Sequence, residues 1–325
     1  MTTQTAKAKG CKCITSIGGQ ALVEGILMRG PKKIEVAVRV PDGAIQAEDM
    51  DFVPLRDRYP ILRVPILRGV AAFIESLMMG YKALQTSMEK SGMSEIETTQ
   101  EDSKLDQWLD KHLGDKMGTI VAGIGGVLGV ILAIALFFFL PTLCFNGIQT
   151  LSSGHDIAAW RSPFEGVFRL AIFVVYMGLM GFQSDIKRMF RYHGAEHKTI
   201  FCYEAGLPLT VENVRKQRRF HPRCGTSFMV LMILIGVLVG IFIPFSNPFL
   251  RTAVKLLCIP VVMGLGFELI RYCGRHDNWL TKIIAQPGLW MQRLTVKEPD
   301  DSMIEVAIEA MKPVIPEDGT DRIVV

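Results

Sequence analysis

Two long stretches of this chain contain no charged residue, namely residues 118–154 and 225–250. About 20 apolar residues are enough for a helix to cross the hydrocarbon core of a bilayer. Two further apolar stretches, 164–182 and 252–270, carry only two charged residues each. The hydrophobic pattern therefore predicts four transmembrane helices, at about residues 119–144, 164–182, 226–245 and 252–270, with a kink in the last one at Pro260.

The segment before these stretches has the pattern of β-structure. Residues 34–40 alternate between aliphatic and other side chains, which is typical of a half-buried strand. A Pro-Asp-Gly turn follows, and residues 44–48 are expected to return as the partner strand. Residues 17–31 contain four glycines, which indicates close approach of backbone segments. We predict a small β-rich unit over residues 14–58.

Two segments have the pattern of amphipathic helices. Residues 61–88 are apolar with four charged residues interspersed, and those charges disfavour a lipid-exposed span. This helix is expected to lie on the membrane surface or against other helices. Near the C terminus, residues 301–312 predict a helix with Asp301 as its N-cap and Pro313 just beyond its end.

Composition excludes several classes of protein. The 325 residues are 49% hydrophobic and 21% charged, with a net charge of +4. These values exclude a disordered, collagen-like or disulfide-stapled chain, and they give no indication of specific DNA binding. The seven cysteines are odd in number and scattered, which suits thiols in a reducing cytosol. Cys11 and Cys13 are spaced too tightly for the usual half of a zinc site.

The predicted fold is an α-helical polytopic membrane protein with about four transmembrane helices, one amphipathic helix and a small N-terminal β-rich cytoplasmic unit. Its segments are, in order, a flexible tail (1–13), the β-rich unit (14–58), the amphipathic helix with a polar linker whose residues 91–112 are acidic (59–117), a four-helix membrane domain (118–270) with a loop at 183–225, and a C-terminal segment (271–325).

The distribution of basic residues predicts the orientation. The loop at 183–225 holds nine lysines and arginines, whereas residues 145–163 hold one. The positive-inside rule then places this loop and both termini in the cytoplasm. The first thirty residues lack the apolar stretch of a cleavable signal peptide. We expect a multi-pass protein of the cytoplasmic (inner) membrane.

The candidate chemistry lies in this loop. His193 and His197 are four residues apart, so on a helix they share one face and can bind a single zinc ion. Glu196 completes the order H-x-x-E-H, the inverted form of a zinc-peptidase motif, in which the glutamate is the general base. Three of the six histidines fall between residues 193 and 221. The alternative is a helix with polar surface histidines, or histidines that contact lipid phosphate.

A mononuclear site needs a third ligand, and the sequence offers several. His221 and Cys224 lie just before the third span, and Glu268 lies near the cytoplasmic end of the fourth. Cys224 has two alternatives, a low-pKa nucleophile or a plain helix-entry cysteine. Glu268 has the alternative of an ion pair with Arg271 or another arginine. Glu204 is a weaker candidate for the third ligand.

Two further features remain open. Glu24 stands among apolar residues and is either a half-exposed carboxylate or a buried functional acid. The basic residues 215, 216, 218 and 219 are expected to fix topology and to contact anionic headgroups. The alternative is that they bind ribosomal RNA or a phosphorylated substrate.

Four sequence blocks together resemble a widespread bacterial membrane family of unknown function, the YqhQ type, for which a metal-dependent enzyme activity has been suggested. They are GGQALVEGILMRGP (18–31), RYHGAEHKTIFCYEAG (191–206), HPRCGTSF (221–228) and EPDDSMIEVAIEAM (298–311). The resemblance covers nearly the whole chain and names no substrate. It implies a metal site at His193, Glu196 and His197, with His221 and Cys224 as further members.

These observations favour a metal-dependent hydrolase, with zinc as the expected ion, acting on a peptide or a lipid-linked substrate at the cytoplasmic membrane face. The alternative is a non-enzymatic scaffold or membrane-protein biogenesis factor. In that case residues 61–88 and the basic loop would contact a translocon or a ribosome.

Overall fold

The computed structural model describes residues 13–92, 117–152, 157–274, 276 and 278–324. The expected flexible tail up to residue 12, with Cys11, and nearly all of the acidic stretch 91–112 lie outside the described residues. The chain divides into two compact units. We call them the sheet unit, built from residues up to 92, 177–231 and from 264 onward, and the helical unit, built from 117–176 and 232–263.

The sheet unit contains a four-stranded antiparallel meander. Its strands are β2 (Gly18–Leu22), β3 (Gly25–Arg29), β4 (Ile34–Arg39) and β5 (Ile45–Asp49). In the last pair Arg39 lies opposite Ile45, so the predicted turn and return strand are confirmed. A separate two-stranded sheet pairs β1 (Cys13–Thr15) with β6 (Arg322–Val324).

Helices cover both faces of the meander. One face packs on α2 (Leu67–Lys90), which follows the short α1 (Leu55–Arg58). The other packs on α12 (Asp301–Met311). The prediction of a half-buried strand at 34–40 is therefore wrong, because β4 is buried on both faces. The small Ala37 fits beneath α12, and the buried Glu35 is 2.9 Å from the Lys33 ammonium.

The ends of two predicted helices are shifted. Helix α2 begins at Leu67, after a short 3₁₀ turn over Pro60–Arg63. The N-cap of α12 is Asp300 rather than Asp301, since the Asp300 carboxylate accepts a hydrogen bond from the Met303 amide at 3.0 Å. Both aspartates are good cap residues, so composition alone could not choose between them.

The remaining α-helices of the described residues include the long apolar helices. They are α3 (Met117–Ile134), continued through a π-turn into α4 (Leu140–Leu151), α5 (Arg161–Met180), α6 (Ser184–Glu204), α7 (Val211–Arg215), α8 (Gly225–Ile241), α9 (Pro248–Leu257), α10 (Ile259–Cys273) and α11 (Trp279–Thr295). The segment 183–225, which we expected to be a loop, is thus largely α6 and α7.

Among the described residues, two helices are long and apolar enough to cross a membrane, Gly123–Leu151 and Ala158–Met180. The number rises to three if the bent pair α9 and α10, which meet at 47°, counts as one span. Of the four predicted spans, the third is a shorter apolar helix of 17 residues, α8. It ends at Ile241, shortly before Pro244, which lacks the amide needed to continue a helix.

Within the helical unit, charged side chains form one buried cluster. The Glu165 carboxylate of α5 accepts hydrogen bonds from Arg251 Nε at 2.9 Å and from Lys255 Nζ at 2.6 Å. Lys255 also donates to the Thr142 hydroxyl at 3.0 Å. Arg251 and Lys255 are one turn apart on α9. The cluster therefore joins α4, α5 and α9 inside the helical unit.

Candidate metal centre

Helix α6 presents two histidines on one side. His193 and His197 are one turn apart, and their ring centroids are 4.4 Å apart. The surrounding part of the helix, from Tyr192 to Cys202, is mostly buried in the sheet unit. This stretch of α6 packs on β2 and α12. The two histidines therefore face protein interior, as ligands of a metal site would.

Main-chain carbonyls orient both imidazoles. His193 Nδ1 is 3.1 Å from the Thr295 carbonyl oxygen, and His197 Nδ1 is 2.6 Å from that of Arg219. Because a carbonyl oxygen only accepts, each Nδ1 must carry the proton. Both Nε2 atoms are then the ones left for other partners. This arrangement is typical of metal-binding histidines, whose second nitrogen is held by a carbonyl or carboxylate.

Cys224 supplies a third donor atom. Its Sγ is 3.1 Å from His193 Nε2, and the donor atoms of His193, His197 and Cys224 all lie within 4.8 Å of one another. A tetrahedral zinc ion holds nitrogen and sulfur ligands about 3.4 to 3.6 Å apart. The separation of His193 Nε2 and Cys224 Sγ is within a few tenths of an ångström of this spacing, and an ion bound by all three side chains would take one further ligand.

The three groups set one another's protonation. Burial opposes a charge on Cys224, but the imidazoles of His193 and His197 lower the pKa of its thiol well below the ordinary value. Burial likewise opposes a charge on His193, yet Cys224 and Glu196 raise the pKa of this imidazole to about 9. The lowered pKa of the Cys224 thiol and the raised pKa of the His193 imidazole both favour a thiolate–imidazolium pair in the metal-free site, and the thiolate is the form that binds metal.

Metal-free protein should therefore show the ultraviolet absorbance of a thiolate at pH 7, and Cys224→Ser should remove it. The lowered pKa keeps Cys224 ionised as the pH falls through neutral, whereas a thiol with a pKa of about 8.5 would be mainly protonated there. His193→Ala should move the transition to higher pH. Cys202→Ser is the control, because burial raises the pKa of that thiol. Identical spectra for Cys224→Ser and wild type would contradict the pair.

Glu196 is buried beside the three ligands. Its Oε2 atom has no hydrogen-bond partner among the described residues. Burial raises the pKa of its carboxyl. Strand β2 approaches it closely, since a Cβ atom at Gly19 would lie 3.0 Å from Glu196 Cγ and Cδ. The close backbone approach expected from the glycines of residues 17–31 occurs here, and it closes one side of the site.

His221 lies next to the group without joining it. Its ring centroid is 5.4 Å from that of His197. Its Nε2 is 3.3 Å from an Arg223 guanidinium nitrogen, and its main chain forms two hydrogen bonds with the buried Gln292 side chain. Burial, then the charge of Arg223, lower the pKa of this imidazole well below its ordinary value. His221 is thus a neutral histidine beside a cation.

The three other candidate carboxylates have arginine partners. The Glu268 carboxylate accepts hydrogen bonds from Nε and from a terminal nitrogen of Arg68. Glu204 pairs with Arg223 and accepts the Thr15 amide at 2.9 Å. These contacts occupy both carboxylate oxygens of Glu268 and the Oε1 atom of Glu204.

Glu24 is paired in the same way. It accepts two hydrogen bonds from Arg188 and one of 3.0 Å from the Tyr192 hydroxyl. It sits in the β2–β3 turn with a positive φ of 49°. These contacts tie the turn to α6 just before His193.

Several basic residues of the segment 183–225 also have partners within the sheet unit. Arg215 pairs with Asp301, and Arg219 donates to Glu298 at 3.0 Å. The Arg218 guanidinium lies 4.4 Å from the Phe201 ring centroid. Part of this basic cluster therefore holds α7 and the residues after it to the C-terminal segment.

Sequence reasoning missed the groups that orient the ligands. The carbonyls of Thr295 and Arg219 are main-chain groups, so residue type gives no indication of their role. Gln292 was overlooked because a glutamine within an apolar helix has no specific signature. Gly19 alone had a signal, as one of the four glycines.

Comparison with known proteins gives a family but no activity. The profile of a family described as "Protein of unknown function (DUF1385)" matches residues 64–317. A protein of Bacillus subtilis (strain 168) described as "Uncharacterized protein YqhQ" is 36% identical over 306 residues, which cover 92% of each chain. No solved structure matches the chain significantly.

Proposed function

We propose that this chain, a member of the DUF1385 family of proteins of unknown function, is a zinc-dependent hydrolase. The observation that carries the proposal is the convergence of His193, His197 and Cys224 beside a buried carboxylate with an unpartnered oxygen. Two imidazoles, a thiolate and an open fourth position are a ligand set that zinc enzymes use.

The ligands and the base have separate roles in this proposal. His193, His197 and Cys224 would hold the ion, and the Thr295 and Arg219 carbonyls keep the imidazoles oriented. When bound, zinc supplies Lewis acidity toward water and toward a carbonyl or phosphoryl oxygen. Glu196 takes a proton from the attacking water and returns it to the leaving group as the scissile bond breaks. The burial of Glu196 favours this role, because it raises the pKa of the carboxyl toward neutral pH, where a general base works best.

We further propose that the apolar helices cross the cytoplasmic membrane four times, with both termini and the metal centre on the cytoplasmic side. Nine basic residues in 183–225, against one in 145–163, support this orientation. The bilayer is then a direct neighbour of the enzyme. The substrate class is a peptide or a lipid-linked molecule that reaches the cytoplasmic face.

Glu196→Gln should lower hydrolysis by about 10²- to 10⁴-fold, because the glutamine cannot accept the proton, while the zinc content stays at the wild-type value. The assay uses the full chain in lipid nanodiscs, loaded with zinc, against a peptide library and a set of phospholipid and lipid-linked pyrophosphate substrates. Glu212→Gln, an exposed glutamate of α7, is the matched control and should leave the rate unchanged. Equal rates for Glu196→Gln and wild type would exclude this base.

A scaffold function has one specific observation in its favour. Helix α2 exposes a row of large apolar side chains, Leu77, Met78 and Tyr81, although its other face is buried against the sheet. Such a face fits a protein partner, for example a translocon or a ribosome. In that case Glu196→Gln would complement a deletion strain fully, and a stoichiometric partner would copurify with both proteins.

A further inference from the structure

A cavity of about 660 Å³ lies in the sheet unit, on the side of the meander that faces α2. Its walls come from β2 and β3, from the turn that begins at Gly30, from residues 52–57 and from α2. Ligand sites in proteins have volumes of about 300 to 1,000 Å³. The cavity is therefore large enough for a small ligand, and the proposed function does not use it.

Positive charge predominates in its lining. Arg29, Lys32, Lys33 and Arg56 line the cavity, against the single carboxylate of Asp57. Both lysines have partners at the rim, since Lys32 pairs with Asp318 and Lys33 with Glu35. The two guanidinium groups are the cations left to bind a ligand.

The two arginines are incompletely neutralised. The nearest carboxylate to Arg29 is that of Glu75, at 4.0 Å, and that carboxylate also accepts the Leu55 amide at 2.6 Å. The Arg56 guanidinium has no ion-pair or hydrogen-bond partner in the described part of the chain. Burial lowers the pKa of Arg29. The Glu75 carboxylate opposes this shift, and the nearby charge of Arg56 adds to it. Two like charges at one cavity repel each other, and an anion between them would relieve that repulsion.

The rest of the lining is apolar or open. Leu27, Phe52 and Met79 form an apolar wall, and the Arg29 guanidinium lies 5.9 Å from the Phe52 ring centroid. Gly18 lines the cavity as well, and a Cβ atom there would meet nothing within 4 Å. The cavity thus combines two guanidinium groups with a surface for an organic moiety.

We propose that this cavity binds a phosphate-bearing ligand, with Arg29 and Arg56 as the phosphate-binding residues. Guanidinium groups match the geometry of phosphate and bind it through paired hydrogen bonds. The phosphate belongs either to a soluble compound or to a lipid headgroup. The adjoining segment exposes the apolar side chains of Val53, Tyr59 and Ile61, which favours the approach of a lipid headgroup to the cavity. Binding here needs neither zinc nor catalysis, so it goes beyond the proposed function.

The experiment measures binding to the full chain in nanodiscs of phosphatidylcholine. Equilibrium dialysis with radiolabelled inorganic phosphate tests the soluble source. Nanodiscs doped with phosphatidic acid, followed by native mass spectrometry of the retained lipid, test the headgroup source. We expect saturable binding of about one phosphate group per chain in at least one arm. Arg56→Gln should weaken it by at least about tenfold, the loss expected for a charge-assisted contact.

Two variants make the result specific. Arg58→Gln is the matched control, because Arg58 lies in the same short helix, is exposed and does not line the cavity. It should bind as wild type does. Gly18→Leu keeps every charge but adds an apolar side chain to the cavity lining, and it should weaken binding in the arm that is positive. Absence of binding in both arms, or equal loss in Arg56→Gln and Arg58→Gln, would overturn the proposal. Neither result would bear on zinc content, so failure here is distinct from failure of the hydrolase proposal.

Discussion

Replacing His193 and His197 together by alanine should lower the zinc content of the purified chain from about one ion to nearly none. Two of the three ligands disappear, and a single thiolate in a site built for a tetrahedral ion cannot retain it. The measurement is elemental analysis of full-length protein, purified without added metal or chelator. His276→Ala, at an exposed histidine that contacts the Tyr272 carbonyl, is the control and should keep its zinc.

Single replacements then identify the third ligand. Cys224→Ser should lose most of the zinc, because its sulfur lies within the group of three donor atoms. His221→Ala should retain the zinc, because the Nε2 atom of His221 faces the Arg223 guanidinium. If wild-type protein contains no divalent metal, or if the double variant keeps it, the metal centre is refuted. If His221→Ala alone loses zinc, the ligand assignment is wrong.

The second large effect concerns stability in the helical unit. Glu165→Ala should destabilise the protein by about 3 to 5 kcal/mol, the usual result when one partner of a buried ion pair is removed. Arg251 and Lys255 would remain buried without their carboxylate. The measurement is the thermal or denaturant midpoint of unfolding in one fixed detergent.

Its control is an exposed ion pair of the same chemistry. Glu309 and Lys312 are three residues apart on the surface of the sheet unit. Glu309→Ala should change stability by less than about 1 kcal/mol, as exposed pairs do. A decrease of equal size in both variants would mean that Glu165 contributes no more than a surface carboxylate.

Local patterns predicted those parts of the fold that depend on neighbours in sequence. The strands of residues 34–49 were predicted because side-chain alternation and a Pro-Asp-Gly turn are both local signals. The burial of both faces of β4 was not, because it depends on α12, which is more than 250 residues away in the chain. A charged Glu35 in that strand suggested solvent, whereas Lys33 neutralises it in the folded unit.

The candidate site likewise has one part that local residue spacing predicts and one part that depends on distant segments. His193 and His197 could be paired from sequence because one helical turn separates them. The choice among His221, Cys224 and Glu268 could not be made, since it depends on where Arg223 and Arg68 place their guanidinium groups. Those contacts join segments that are distant in the chain, and residue spacing carries no information about them.

The two carbonyls that hold the histidines also set the order of assembly. Arg219 precedes the last apolar helices, but Thr295 follows His193 by 102 residues. The final orientation of His193 therefore requires a segment that is synthesised long after the histidine itself. The helices α8, α9 and α10 lie between these two residues in the chain and are synthesised first. A chain truncated before Thr295 would lack the carbonyl that orients His193, and it should retain zinc less well than the full chain.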